Sequence, residues 1–438
     1  MKVIHLFDLS FYYPHNMNNA KIYINKATKE EKILFTEEKA WEIRFDNSYP
    51  NVFYDKQQKK YRCYYSTFTK DDNNGKEPYI PTNNRIVSLC YAESIDGVNW
   101  IKPNLGLVEF NSNKENNIIA NFFHGTSVFF DEKEKDENKK YKLFTKIDYG
   151  NEVTYLAVAF SKDGINFSEP IKLENFNPRA DTHNQIIYDE YLKEYILVTR
   201  IWKDAMRYPL LATSKDFFKW ENKEIIPLTQ TYEKQVYSMP IFKLADYTLG
   251  LASIYNEGNM LDKEYDTVSL HLTYSNDYTT WHYIDQTPFI DIKGCIFSST
   301  PIKIANRLYF YYISSEGKHT GNRKGSLMRA YVENDRLAYL GQLDNGKEAS
   351  ITTCKMFFME DKFYIDADIE EDGYILISTD NNKEVEVKKE KNIYVATFKE
   401  ATNRQLIRLN IRFKKAKIYK IYGELEKKEF KWNMNYMI

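Results

Sequence analysis

One short pattern occurs four times along the 438-residue chain and restricts its fold more than any other feature. Each copy reads Ser-x-Asp-x-x-x-aromatic and follows an apolar run, and the copies begin at Ser94, Ser161, Ser214 and Ser275. A short Asp side chain can accept backbone N–H groups in a tight turn, and the aromatic residue can pack into the core. The copies recur about every 60 residues, and long repeat periods are typical of propeller folds. We interpret the pattern as architecture without chemistry.

A second pattern lies between these copies and predicts five β-hairpins. In its clearest form an apolar strand ends at Asp and a return strand opens with Tyr, and alternation of this kind is typical of paired strands. The five segments are 51–55 with Tyr61, 127–131 with Tyr141, 185–189 with Tyr195, 240–247 and 301–312. Joined to the Ser-x-Asp segments, they form four-stranded units of the kind found in propeller blades. The sequence therefore predicts a five-bladed β-propeller over residues 41–340.

The composition and the flanking segments agree with an all-β protein. Aromatic residues make up 16% of the chain, and Tyr and Phe favour strands over helices. Residues 345–425 alternate apolar and polar side chains in short runs, which predicts a β-sandwich. We expect residues 1–40 to form an arm that packs on the propeller and residues 426–438 to form a C-terminal tail.

Charge and cysteine usage exclude several classes of function. The chain has 61 Lys and Arg against 62 Asp and Glu without long runs of one sign, so no large basic surface is available to bind nucleic acid. No run of about 18 apolar residues predicts a membrane span. The four cysteines lack CxxC spacing, which argues against structural zinc and a disulfide framework. Without an export signal, the sequence predicts a cytoplasmic protein with reduced thiols and no metal or cofactor.

Candidate functional residues lie just before the innermost strand of each predicted blade, where the loops open onto one face of a propeller. Three carboxylates from three blades are expected to converge there: Asp46 or Glu42, Asp181 and Glu233. Glycoside cleavage uses a pair of carboxyl groups, and mutual repulsion raises the pKa of at least one group in such a cluster. The predicted substrate-binding residues are Trp41, Glu42, Arg44, His124, Arg179, His183, Arg200, Tyr237 and His319, with Trp41, Tyr49 and Tyr237 as stacking faces for sugar rings.

These segments resemble the five-bladed glycoside hydrolases of families 32, 68 and 43, and above all uncharacterised bacterial proteins of the family-32-like branch. The resemblance rests on WEIRFDNSYPNVFYD, RADTHNQIIYD, the Ser-x-Asp repeats and DGYILI. It implies Asp46 as nucleophile or base, Asp181 as transition-state stabiliser and Glu233 as general acid. The sequence departs from the invertase motifs at residues 46–51, 179–181 and 233–234, so fructan specificity does not follow.

Other functions remain open at the level of sequence. A sialidase would need three arginines, for which Arg85, Arg200 and Arg323 are available, although such enzymes usually have six blades. A glycoside phosphorylase would need basic residues near the acids, for which Arg44, Arg179 and Arg200 are candidates. A non-catalytic carbohydrate-binding propeller is the alternative from a different class, because fold alone does not establish function.

Overall fold

The computed structural model describes residues 2–427 except 46, 77, 78, 81, 83, 151, 152, 229, 361, 381–383, 392 and 399–404. The described chain is all-β, as predicted, with two short 3-10 helices at Leu9–Phe11 and Glu137–Lys139. No helix in this part of the chain is long and apolar enough to cross a bilayer. The chain divides into two compact units, one made of Met1–Lys26 and Arg336–Ile438 and the other of Ala27–Asp335.

The unit Ala27–Asp335 begins with three separate antiparallel sheets. The first sheet contains Asn51–Asp55, Lys60–Asp71, Arg85–Ser94, Trp100–Ile101 and Ile118–Asn121. The second contains Phe123–Phe130, Tyr141–Asp148, Thr154–Ser161 and Ile171–Lys172. The third contains Gln185–Asp189, Glu194–Lys203, Met206–Ser214 and Glu221–Ile225. In each sheet the predicted hairpin is present, with its strand-ending Asp beside the turn.

Two further antiparallel groups are joined at one parallel pair, Val268 beside Cys295. The fourth group contains Lys234–Ser238, Ile241–Leu244, Tyr247–Asn256, Thr267–Ser275 and His282–Tyr283. The fifth contains Cys295–Ser298, Ile302–Ile304, Arg307–Ser315 and Ser326–Glu333. Two short N-terminal strands, Thr28–Lys29 and Phe35–Thr36, complete the fifth group by pairing with Ser326–Glu333. An early and a late part of the chain therefore share one sheet.

The Ser-x-Asp repeats form the turns that their pattern predicts. In the copy at Asp96, one carboxylate oxygen accepts the N–H groups of Val98 and Asn99, both at 2.8 Å. The copies at Asp163, Asp216 and Asp277 accept the corresponding pairs of N–H groups. The residue after each Asp has a positive φ, a position occupied by Gly97, Gly164, Phe217 and Tyr278. The last two copies therefore place an aromatic residue in the strained position that glycine occupies in the first two.

Hydrogen bonds that are buried or partly buried link successive sheets through the Asp that ends each inner hairpin strand. Tyr141 of the second sheet donates its hydroxyl to Asp55 of the first. Tyr195 donates to Asp131 at 2.5 Å and Tyr278 to Asp189 at 2.5 Å, so the contact recurs at the next two junctions. A hydrogen bond to a charged acceptor contributes about 1.5–3 kcal/mol. The second sequence pattern thus supplies an inter-sheet link as well as a hairpin.

The unit of Met1–Lys26 and Arg336–Ile438 contains one ten-stranded and one three-stranded sheet. The larger sheet is formed by Lys2–His5, Tyr12–Asn18, Ala20–Ile24, Ala338–Gln342, Ala349–Thr353, Lys362–Thr379, Val385–Glu386, Lys388–Glu390, Ile393–Thr397 and Leu409–Gly423. The smaller is formed by Met356–Phe358, Gln405–Ile407 and Leu425–Lys427.

This arrangement differs from the single N-terminal arm expected for residues 1–40. Residues 2–24 form three strands, which pair with strands of the C-terminal segment. Strand pairing satisfies the backbone N–H and C=O groups of these residues, which a loosely packed arm would leave to water. Of the predicted tail, residues 426 and 427 belong to a strand, and residues 428–438 lie outside the described part of the chain.

Candidate active site

Polar side chains from all five groups of strands meet at one place in the unit Ala27–Asp335, here called the hub. Most of them are buried and they contact one another through hydrogen bonds, ion pairs or ring packing. The hub consists of Asn47, Tyr49, His124, Asp148, Asp181, His183, Arg200, Tyr237, Tyr255, Asp266, His319 and Arg323. The predicted convergence of loops from different repeats is therefore present for these residues.

Asp181 is the hub carboxylate that remains accessible, with its side chain 34% exposed. Burial acts to raise the pKa of Asp181, but neighbouring basic side chains outweigh it and hold that pKa well below its usual range. These side chains are Arg200, His124, Lys146 and Arg85. Arg200, only 2% exposed, places Nη2 3.1 Å from Oδ2 of Asp181 and also donates to its backbone oxygen. Asp181 is thus ionised at neutral pH and held in a defined position.

A β-bulge positions His124 beside Asp181. The pairing of Phe123–Phe130 with its neighbour shifts register between His124 and Ser127, where Gly125 has a φ of +60°. A Cβ at Gly125 would lie 1.7 Å from the backbone oxygen of Thr182, so only glycine permits this approach of the second and third sheets. As a result, His124 Nδ1 lies 3.5 Å from Oδ1 of Asp181.

Asp148 is a second carboxylate on the other side of His124. Its Oδ2 lies 3.6 Å from the same Nδ1 atom and 4.0 Å from Nη2 of Arg85. Burial acts to raise the pKa of Asp148, but His124, Lys146 and the backbone N–H of Gly150 lower it below its usual range. Because both carboxylates contact Nδ1, these two oxygens are at most about 7 Å apart, an upper limit that allows the separation of about 5–5.5 Å of a retaining carboxylate pair.

The other side of the hub is a chain of hydrogen bonds around Tyr237. The hydroxyl of Tyr237 lies 3.1 Å from Nδ2 of Asn47 and 3.1 Å from Nε2 of His319. Nδ1 of His319 faces Asp266 at 3.9 Å. The guanidinium groups of Arg200 and Arg207 lie 4.6 and 5.4 Å from the Tyr237 ring centroid. This side therefore joins the first, third, fourth and fifth groups of strands.

Two small pockets open beside His124. One is a narrow cleft, whose volume of about 210 Å³ includes open solvent, and it is lined by Asn47, Ser48, Tyr49, Ser66, Thr67, Phe68, Val87 and His124. The other is a similar cleft of about 200 Å³ lined by Phe68, Arg85, Val87, His124 and Asp148. Shared walls at Phe68, Val87 and His124 place the pockets side by side.

Trp41 and Glu42, both predicted for the site, pack instead at the core beside the first sheet. Trp41 packs with Phe110 and donates its indole N–H to Asn117 at 2.7 Å, so it offers no stacking face to the hub. Glu42 is buried and accepts from the Tyr65 hydroxyl at 2.6 Å and from Lys102 at 2.8 Å. A carboxylate with these partners serves the fold, and Glu42 is therefore not an alternative to Asp46.

The remaining predicted residues fall in three environments. Arg44 is buried with its guanidinium carbon 3.6 Å from the Tyr79 ring centroid, and Arg179 is exposed beside Trp202 at 5.3 Å. Glu233 is exposed, and a hydrogen bond from Thr231 lowers its pKa, which favours the ionised form over a proton donor. Asp46 lies outside the described residues. Of the three predicted acids, Asp181 therefore lies in the hub and Glu233 lies outside it, and the position of Asp46 stays a prediction.

His183 reaches the hub as predicted, but its environment keeps it neutral. Its ring lies 5.7 Å from the Tyr49 ring, and burial lowers the pKa of His183 to about 3. Burial also raises the pKa of Tyr49 well above its usual value. Near neutral pH these two rings are uncharged and form part of the wall of the hub.

Asp148, Tyr255 and Asp266 of the hub, and the neighbouring Lys146, were not predicted from the sequence, because none of them directly precedes an innermost strand of a repeat. Arg323 was considered only among the arginines that a sialidase would need. The hairpin at Tyr141 brings Lys146 opposite His124 only through the register shift between His124 and Ser127, which the sequence pattern does not predict. Asp266 and Arg323 lie in loops whose path the sequence pattern does not define.

The described residues hold no group of three His, Cys, Asp or Glu side chains arranged to bind a metal ion. The four cysteines, all within the described residues, form no disulfide bond, and Cys63, Cys90 and Cys295 are buried. Burial raises the pKa of the Cys295 thiol to about 12, which keeps it protonated. The side chains of the hub itself are carboxylates, imidazoles, phenols, guanidinium groups and the Asn47 amide.

No protein-family model and no curated protein matches the chain. Similar solved structures include a glycosyl hydrolase from Bacteroides ovatus, which is 15% identical with a TM-score of 0.48 and covers 74% of this chain and 98% of its own. A fructofuranosidase from Schwanniomyces occidentalis is 13% identical with a TM-score of 0.46, covering 92% and 99%. A structure from a family of mannoside phosphorylases that contains glycoside hydrolases is 13% identical with a TM-score of 0.47, covering 71% and 94%.

Proposed function

We propose that this chain is a carbohydrate-active enzyme that cleaves a glycosidic bond at the hub. The observation that carries the proposal is the ionised, one-third exposed carboxylate of Asp181, held by Arg200 and adjacent to His124, which lines both pockets. We further propose that the five antiparallel groups close into a five-bladed propeller and that the two sheets of the other unit form a sandwich. The recurring Tyr–Asp links between the first four groups support the propeller.

In this proposal Asp181 stabilises the positive charge that develops on the sugar ring. An ionised carboxylate favours an oxocarbenium-like transition state, and a fixed guanidinium keeps its orientation during the reaction. Asp46 is proposed as nucleophile or base, because Asn47, the next residue in the chain, belongs to the hub. Asp148 is a second candidate for the partner carboxylate, since it shares His124 with Asp181.

Glu233 stays the proposed general acid only if bound substrate buries it. An acid that protonates a leaving group near neutral pH needs a raised pKa, and the exposed Glu233 has a lowered one. Its side chain lies against Gly258, in the loop that leads to Asp266 of the hub. A substrate seated between this loop and Asp181 would remove water from Glu233 and raise its pKa.

A panel of chromogenic glycosides, assayed with the wild-type protein and Asp181→Asn, tests the proposal. We expect turnover of at least one glycoside by the wild type and a loss of at least about 100-fold in kcat for Asp181→Asn. Asp163→Asn is the matched control, because it changes the same residue type in a turn outside the hub. Sugar binding without turnover by the wild type would indicate a carbohydrate-binding protein and refute the enzymatic proposal.

Phosphorolysis is a second candidate, favoured by the excess of cations around Asp181. The positive charges of four side chains lower the pKa of the Asp181 carboxyl: Arg200, Lys146, Arg85 and His124. Lys146 forms no ion pair with any described residue as short as those of His124 with Asp148 and of Arg200 with Asp181. Such a cluster can hold a phosphate oxyanion. The same panel run with and without inorganic phosphate separates the two reactions: a phosphorylase releases a sugar 1-phosphate and stalls without phosphate, whereas a hydrolase is indifferent to it.

A further inference from the structure

Asn47 has one possible amide orientation in the hub, which Arg323 imposes. Nη1 of Arg323 lies 2.6 Å from the side-chain oxygen of Asn47, and a guanidinium group can only donate. The opposite end of the amide must then be the NH₂ group, which faces the hydroxyl groups of Tyr49 at 2.6 Å and Tyr237 at 3.1 Å. Each of these hydroxyls therefore accepts an N–H from Asn47.

The proton of the Tyr237 hydroxyl consequently has to be donated to another group. Nε2 of His319 lies 3.1 Å away and is an acceptor when the imidazole is neutral and protonated on Nδ1. Burial lowers the pKa of His319 to about 4, so the ring is neutral near pH 7. Tyr237 therefore donates to His319, and the direction of the bond follows from the network.

The remaining ring nitrogen of His319 faces a carboxylate that is itself fixed. Oδ1 of Asp266 lies 3.9 Å from Nδ1 of His319 and accepts the Tyr255 hydroxyl at 3.0 Å. Its other oxygen accepts the backbone N–H of Thr320 at 2.9 Å and the Thr320 hydroxyl at 2.5 Å. Asp266 is buried, so its negative charge stabilises a proton on His319 with little screening by water.

We propose that Tyr237, His319 and Asp266 form a directional proton relay that serves the hub. The proposal rests on the proposed glycoside cleavage for its reaction and on the hydrogen-bond directions for its geometry. A hydroxyl or water that loses its proton passes it to Oη of Tyr237, while the proton of Tyr237 passes to Nε2 of His319. The resulting imidazolium lies beside Asp266, and the reverse transfers return the proton to the leaving group or to solvent. Tyr237 contacts the reacting hydroxyl, and His319 and Asp266 act through it as positioning residues.

The electrostatic surroundings of His319 set the pH range in which the relay works. The charged and titratable groups around it are Asp266, Arg207, Arg44, Arg200, Tyr237 and Tyr255. Asp266 favours the imidazolium, and the three arginines oppose it. Protonation of His319 at low pH removes the acceptor for Tyr237, so we expect the relay to operate above about pH 4 and to fail below it.

The hydrogen-bond direction can be measured without any substrate. Nitrogen-15 NMR of protein labelled on its 7 histidines reports which ring nitrogen carries the proton. We expect His319 to carry it on Nδ1 near pH 7, and Tyr237→Phe to move the Nε2 resonance of His319 alone. A proton on Nε2 in the wild type would overturn the relay, whatever the enzyme assays give. This result also decides the relay if the wild type cleaves no glycoside and the proposed function fails.

Kinetics then test whether an active enzyme uses the relay. On a glycoside that the wild type cleaves, we expect Tyr237→Phe and His319→Gln each to lower kcat by about 100-fold or more with KM little changed. The kcat of the double variant should be no lower than that of either single variant, because both substitutions interrupt the same proton pathway. His319→Gln should also abolish the acidic limb of the pH profile. Tyr64→Phe, which loses a buried hydrogen bond to Gly164, is the control and should keep kcat. Retention of kcat in Tyr237→Phe would overturn the relay and leave the proposed function intact.

Discussion

The link between Asp55, Arg62 and Tyr141 should be a large local contribution to the stability of this chain. Asp55 is fully buried, Arg62 is 2% exposed, and their closest atoms are 2.7 Å apart. Removal of the carboxylate in Asp55→Ala leaves the guanidinium buried without its acid, which costs about 3–5 kcal/mol. Tyr141→Phe keeps the ion pair and removes one hydrogen bond to the carboxylate, which costs about 1.5–3 kcal/mol.

Urea unfolding of the two single variants and the double variant measures these terms and their coupling. Because Tyr141 and Arg62 share Asp55, the double variant should lose less than the sum of the single losses by about 1 kcal/mol or more. Tyr312→Phe is the control, since its buried hydroxyl has no hydrogen-bond partner among the described residues. If Tyr141→Phe and Tyr312→Phe unfold with free energies within about 0.5 kcal/mol of each other, the inter-sheet link does not stabilise the fold.

Three further outcomes are expected. His183 has a pKa near 3 in the fold, so the unfolded chain binds a proton at this residue more readily than the folded chain does. Between pH 6 and 4 the free energy of unfolding should therefore fall more steeply in the wild type than in His183→Gln, by about 1.4 kcal/mol per pH unit. Equal slopes in urea titrations would contradict this. Glu42→Ala should cost about 3 kcal/mol in urea unfolding, because Lys102 is 2% exposed and loses its nearest acid. Gly125→Ala should abolish activity by separating the second and third sheets, whereas Gly106→Ala, with a positive φ but open space, should lose about 1 kcal/mol and remain active.

The hairpins and turns could be predicted because their physical causes are local. Asp96 accepts N–H groups two and three residues ahead, and each inner hairpin strand is followed by its partner within a few residues. The pairing of Tyr141 with Asp55 was not predicted, although both residues were noted, because the bond crosses between sheets. The strands before Lys26 were also missed, since their partners lie more than 300 residues further along.

The grouping of some hub residues could be predicted from the sequence, and their roles stay predictions. Asp181, His124 and Tyr237 meet because equivalent positions of a repeat arrive at one place, and periodicity in the sequence locates those positions. Glu42 and Glu233 have the same side chain and similar positions before a strand, yet one is buried against Lys102 and the other is exposed. The partner of Glu42 lies 60 residues away, so no local pattern distinguishes the two.

The sequence by itself determined the class of fold, the period of the repeats and the places where loops meet, because these depend on hydrogen bonds and strand pairing between near neighbours. Only the tertiary structure decided which carboxylate is ionised and accessible, which histidine is neutral and in which direction Tyr237 donates its proton. Those properties depend on burial and on charges such as Arg200, Asp266 and Arg323, which reach the hub from distant parts of the chain. Electrostatic interactions act over the distances set by the folded chain, and the order of residues does not specify those distances.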